Sequence, residues 1–147
     1  MKRILLFGLF VGLAGCGKSS MNYELDVNSF KQKDIKLVER KIGFSLPVGS
    51  RGLNMYYAGA QIDPSFLAKF EIPKNESERL VTQLEQMPSN VAAVTNYIVQ
   101  RVTWWNPTPE STRIERRFFL PVNHEFVDIL LCEKDGHITL YVDWASN

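Results

Sequence analysis

Few of the side chains that announce chemistry occur in this sequence. Its 147 residues hold two cysteines and two histidines. His124 and His137 fall at opposite ends of a predicted hairpin, too far apart to share an ion. HExxH, CxxC and EF-hand spacings are missing, so the common zinc and calcium sites are excluded and no metal or other cofactor is expected. A GxSxG elbow, a P-loop and a dinucleotide fingerprint are missing as well. An excess of one charge is also lacking: 17 Lys and Arg stand against 16 Asp and Glu, a net charge of +1. With no basic run to follow a phosphate backbone, nucleic acid is not an expected partner. No apolar stretch reaches the ~20 residues that a helix needs to cross ~30 Å of hydrocarbon. Disorder is excluded too, because 45% of residues are hydrophobic and 22% are charged, ordinary values for a packed domain.

What the chain does have begins with its first residues. Lys2 and Arg3 precede Ile4 to Leu13, a run containing only apolar residues and glycine. That run has the length and flanks of a secretory signal. It closes on Leu13-Ala14-Gly15-Cys16, which resembles the lipobox of bacterial lipoproteins. The resemblance implies that signal peptidase II recognises Leu13, Ala14 and Gly15, removes residues 1–15, and leaves a lipid-modified Cys16 as the mature N-terminus. Two or three acyl chains, at ~0.8 kcal/mol per buried CH₂, make a firm membrane anchor. Gly17 stands where an Asp would resemble an inner-membrane retention signal in enteric bacteria, so the outer membrane is favoured if the host is Gram-negative. With Cys16 lipidated, Cys132 has no intramolecular partner and no disulfide is expected.

Residues 16–30 then read as the lipidated cysteine and a polar tether, and residues 31–147 as a single domain. Ile35, Val38 and Ile42 recur at helical spacing, with Gly43 placed as a C-terminal stop. Leu53 to Gln61 and Phe66 to Ile72 read as strands separated by Asp63-Pro64-Ser65. Residues 73–88 read as a helix: Asn75 can cap it, Glu78 completes a capping box, and Leu80, Val81, Leu84 and Met87 form one stripe. Ser89 to Thr103 fits a helix or a strand equally. Residues 104–112 read as a loop, and Ile114 to Leu120 as a strand. Glu125 to Glu133 and His137 to Trp144 flank an Asp135-Gly136 turn, a strong hairpin signal. The expected class is α+β: a mostly antiparallel sheet ending in a C-terminal hairpin, with two or three helices.

Two registers of that hairpin are open. A two-residue turn sets Asp128 across from Asp143 and Cys132 diagonal to His137, an arrangement for a shared proton, a hard cation or a thiolate. A three-residue loop with Gly136 as the bulge shifts the pairing by one and packs Cys132 beside Ile138. Opposed like charges favour the second register, and the cleaner apolar face favours the first. The other feature is Trp104-Trp105 on a proline-rich loop. An exposed indole there would anchor a protein partner or a glycan ring, with Arg113 supplying a rim contact. Large aromatics usually close small cores, so one or both tryptophans capping the hydrophobic end of the sheet is the favoured packing alternative.

The reading that fits these features is a membrane-anchored envelope lipoprotein, not an enzyme, that binds another envelope protein partly through Trp104, Trp105 and Arg113. An immunity- or exclusion-type inhibitor lipoprotein, which neutralises a toxin or phage component, is the alternative. A hydrolase or thiol enzyme using Cys132, Asp128 or Asp143 ranks last.

Overall fold

The apolar residues of the C-terminal half alternate with period two, and those of residues 32–42 recur every three or four. These two periods place side chains on one face of a strand and on one stripe of a helix. The computed structural model describes residues 22–59, 63–89 and 97–146, and both periods are realised there. Six strands, β1 (Tyr23–Leu25), β2 (Arg51–Ala58), β3 (Ser65–Ile72), β4 (Thr112–Leu120), β5 (Glu125–Lys134) and β6 (His137–Ser146), form one sheet. Helix α1 (Gln32–Ile42) lies between β1 and β2, and α2 (Ser77–Glu85) follows β3. The sheet order is β1-β2-β3-β6-β5-β4 with every neighbour antiparallel. Two three-stranded meanders, one from each half of the chain, thus meet along a β3–β6 seam. Among the described residues no helix is long and apolar enough to cross a membrane.

Both helices cover the same face of the sheet. Ile35, Val38 and Ile42 of α1 and Leu80 and Leu84 of α2 join Met55, Phe66, Phe70, Ile129, Leu140 and Trp144 in one buried cluster. Gly43 ends α1 as its spacing requires, with φ of +81° and its N–H donating to the Glu39 carbonyl at 3.0 Å, the left-handed stop that glycine adopts at little cost. A second glycine is fixed by close approach. A Cβ on Gly52 would lie 2.3 Å from the Phe30 ring, so no larger residue fits beneath that ring.

The hairpin register is settled. Asp135 and Gly136 have φ of +52° and +78°, positive at both positions as a type I′ turn demands. Lys134 pairs with His137, Cys132 with Thr139, and Asp128 with Asp143. Packing outweighs like-charge repulsion here: Val127, Ile129 and Leu131 share the core face with Ile138, Leu140, Val142 and Trp144, and a one-residue slip would turn one of the two strands over.

Two expectations need correction. The domain does not begin at residue 31: Tyr23–Leu25 pairs with β2 as an edge strand, and Phe30 is buried in the core against Phe70. Three residues are too few for a legible alternation, which is why the tether reading absorbed them. Asn75 does not cap α2. Pro73 leads into a 3₁₀ turn over Lys74–Glu76, so the helix proper starts at Ser77, whose hydroxyl donates to the Lys74 carbonyl at 2.8 Å. In the ambiguous stretch 89–103, Tyr97–Arg101 is a 3₁₀ turn, and residues 90–96 lie outside the described residues.

Candidate functional site

The face of the sheet turned away from the helices carries a mixed set of side chains. Register puts Lys69 of β3 directly beside Tyr141 of β6, and Cys132 of β5 beside Thr139 of β6. The segment from Trp104 to Ser111 lies over this face and is held there by bonds that converge on one residue. Asn106 Oδ1 accepts from the Tyr141 hydroxyl at 3.0 Å and from Lys69 Nζ at 3.3 Å. Lys69 also donates to the Trp104 carbonyl at 3.4 Å. Trp105 meets the Tyr141 ring edge-on, with centroids 5.2 Å apart, and Trp104 meets Trp105 edge-on at 6.1 Å. The Trp104 indole N–H donates to Glu24 Oε1 at 2.8 Å, tying the segment to β1.

This answers where the two tryptophans go. Both are half-buried. Trp105 is a packing residue on Tyr141, while Trp104 lies further out towards β1 and bonds a carboxylate on an exposed edge strand. Arg113 joins a separate network, with Nη2 2.9 Å from Glu78 Oε1 and Nη1 3.1 Å from Glu133 Oε2. The bond to Glu78 raises its pKa above the ordinary arginine value. Arg113 therefore fastens α2 to β5.

Behind the segment lies a cleft of roughly 380 Å³ lined by Lys69, Asn106, Ser111, Cys132, Thr139 and Tyr141, with Lys134, Asp135 and His137 at the hairpin end. Burial pushes the Tyr141 hydroxyl up to about 12, with the Cys132 sulfur adding to the effect. Burial also lowers the Lys69 ammonium from its usual value. Cys132 is buried, and its Sγ lies 3.7 Å from Thr112 Oγ1. Thr139 stands opposite it, and His137 is diagonal to it across the hairpin, as the two-residue turn requires. His137 Nδ1 is 3.8 Å from Glu71 Oε1, and His124 sits at the far end of β5 in the β4–β5 turn with φ of +53°.

The facing aspartates form a second polar cluster on the same face. Arg117 Nε donates to Asp128 Oδ2 at 2.8 Å and also ion-pairs with Glu115. Burial raises the Asp128 carboxyl against the pull of Arg117. Arg117 thus places a cation beside Asp128, one of the two opposed carboxylates. Among the described residues no group of three or more His, Cys, Asp and Glu is placed to hold a metal ion. Leu13, Ala14, Gly15 and Cys16 lie outside the described residues.

Sequence reasoning missed Lys69, Asn106 and Tyr141. The available signals were slight: Lys69 is the one charge inside FLAKF, and Asn106 follows the tryptophan pair directly. No protein-family model, no curated protein and no solved structure matches the chain. The functional reading rests on the residues and their geometry.

Proposed function

We propose that this chain is a bacterial envelope lipoprotein whose folded domain is a non-catalytic module for binding another envelope protein. The observation that carries the reading is Leu13-Ala14-Gly15-Cys16, closing an uninterrupted apolar run behind Lys2 and Arg3. Lipid on Cys16 holds the domain at the membrane, the outer one in a Gram-negative host. The Trp104 indole supports the binding role, being a large, half-exposed aromatic with a polar handle at an edge strand.

Radiolabelled palmitate tests the anchor. Wild type is expected to incorporate label and Cys16→Ser to incorporate none; equal labelling overturns the lipoprotein reading. Photo-cross-linking in native envelopes from a site beside Trp104 tests the module. Trp104→Ala is expected to lose the captured protein while keeping its melting temperature within a few degrees. Capture that survives this change removes Trp104 from the surface.

A further inference from the structure

We propose that the cleft behind the tryptophan segment binds a small hydroxycarboxylate, with the ligand carboxylate on the Lys69 ammonium. The argument starts from an unmatched cation. All 16 Asp and Glu side chains lie among the described residues, and none forms an ion pair with Lys69. Two other half-buried cations are matched by carboxylates, Lys41 by Glu125 and Arg117 by Asp128 and Glu115. Among the described residues Lys69 meets neutral acceptors, the Asn106 amide oxygen and the Trp104 carbonyl, with the Tyr141 ring 5.2 Å away. Charge removed from water without an opposite charge is costly, and a ligand carboxylate would supply the missing partner through charge-assisted hydrogen bonds.

The rest of the cleft narrows the ligand class. Lys134 and His137 stand at its hairpin end with Asp135, and Glu71 Oε1 lies 3.8 Å from His137 Nδ1, so Lys134 is the cation there that an entering anion would meet. The walls are hydroxyl and amide groups, with Thr139, Ser111 and Asn106 among them. Such a lining matches ligand hydroxyls better than an alkyl or aryl acid. A volume of roughly 380 Å³ lies at the small end of the ~300–1,000 Å³ range of small-molecule sites. A sugar acid has this size and this chemistry. The inference uses neither Cys16 nor the Trp104 contact surface, so it stands or falls apart from the envelope reading.

Glucuronate is the probe, and glucuronamide, its uncharged counterpart, is the control. Titrated into the full-length chain in detergent, glucuronate is expected to shift the Trp105 indole and Asn106 amide NMR signals saturably, with a Kd of order 1 mM. Glucuronamide is expected to shift neither at the same concentration. Lys69→Met keeps the apolar stem and removes the charge, and is expected to weaken glucuronate about tenfold or more. Lys69→Arg is expected to recover part of that loss, which a purely structural lysine would not predict. Lys134→Met with His137→Gln, both exposed, is expected to weaken binding about threefold; it serves as the test if Lys69→Met fails to fold. The proposal is overturned by an absence of saturable shifts, by equal shifts with glucuronamide, or by unchanged affinity in these charge-removing variants.

Discussion

The two faces of the sheet are built by different physics. Against the helices, Val38, Met55, Phe66, Phe70, Leu80, Leu84, Ile129, Leu140 and Val142 are each 0% exposed, and what joins them is non-directional burial. Against the tryptophan segment, Tyr141, Lys69 and Asn106 meet through individually directed hydrogen bonds, with a cleft left between them. A face held by area alone is strong and chemically silent. A face held by a few bonds is weaker, and its polar groups are available to a ligand. The comparison teaches where to look on a small sheet: the face that is imperfectly filled.

Four changes would break or sharpen that contrast, in falling order of effect. Trp144 is fully buried and stacked on Phe66 at 5.1 Å, so Trp144→Ala is expected to cost ~3–5 kcal/mol in urea denaturation. Gly52→Ala pushes a methyl group into the Phe30 ring and is expected to cost ~1–3 kcal/mol in the same measurement. On the opposite face, Trp105→Ala is expected to cost ~1–2 kcal/mol, because it removes an edge-to-face contact at a half-buried site. A loss there as large as that of Trp144→Ala would erase the distinction between the faces. The smallest effect concerns pH. The Tyr141 hydroxyl is held up to about 12 in the folded chain, against ~10 when unfolded. The unfolded chain ionises first, so this stabilisation is complete below pH ~10 and is lost as pH climbs through about 12. Lys69, whose value burial lowers, acts in the opposite sense. Tyr141→Phe isolates the tyrosine: its stability is expected to fall less steeply than that of wild type between pH 9 and 11.

The helix-bearing face was legible because periodicity encodes it. Ile35, Val38 and Ile42 declare a stripe, Val127, Ile129 and Leu131 an alternation, and Asp135-Gly136 a turn. The loop-bearing face was not, because its contacts join residues with no shared period: Asn106 to Tyr141, Trp104 to Glu24, Arg113 to Glu78. The Asp128–Asp143 pairing was posed correctly as one of two registers. The shared apolar face chose between them, and the Arg117 beside Asp128, which offsets part of the opposing charge term, could not be placed without the register of β4. Strand β1 escaped because three residues give no period, and its partner Tyr57 lies beyond α1.

The seam between the meanders has a consequence for the order of folding. Within β4-β5-β6 each strand follows its neighbour through a turn of a few residues, and β2 and β3 are likewise close in sequence. The β3–β6 ladder instead joins residues 65–72 to residues 138–145, closing a loop that contains α2, the tryptophan segment and two strands. Loop closure of that length must precede any return from the contacts it permits, and such non-local pairings slow folding. The C-terminal meander is expected to form early and the seam late. Substitutions at Ala68 or Val142, where the two meanders pair, should therefore change the unfolding rate more than substitutions in the Asp135-Gly136 turn, which should act mainly on the folding rate.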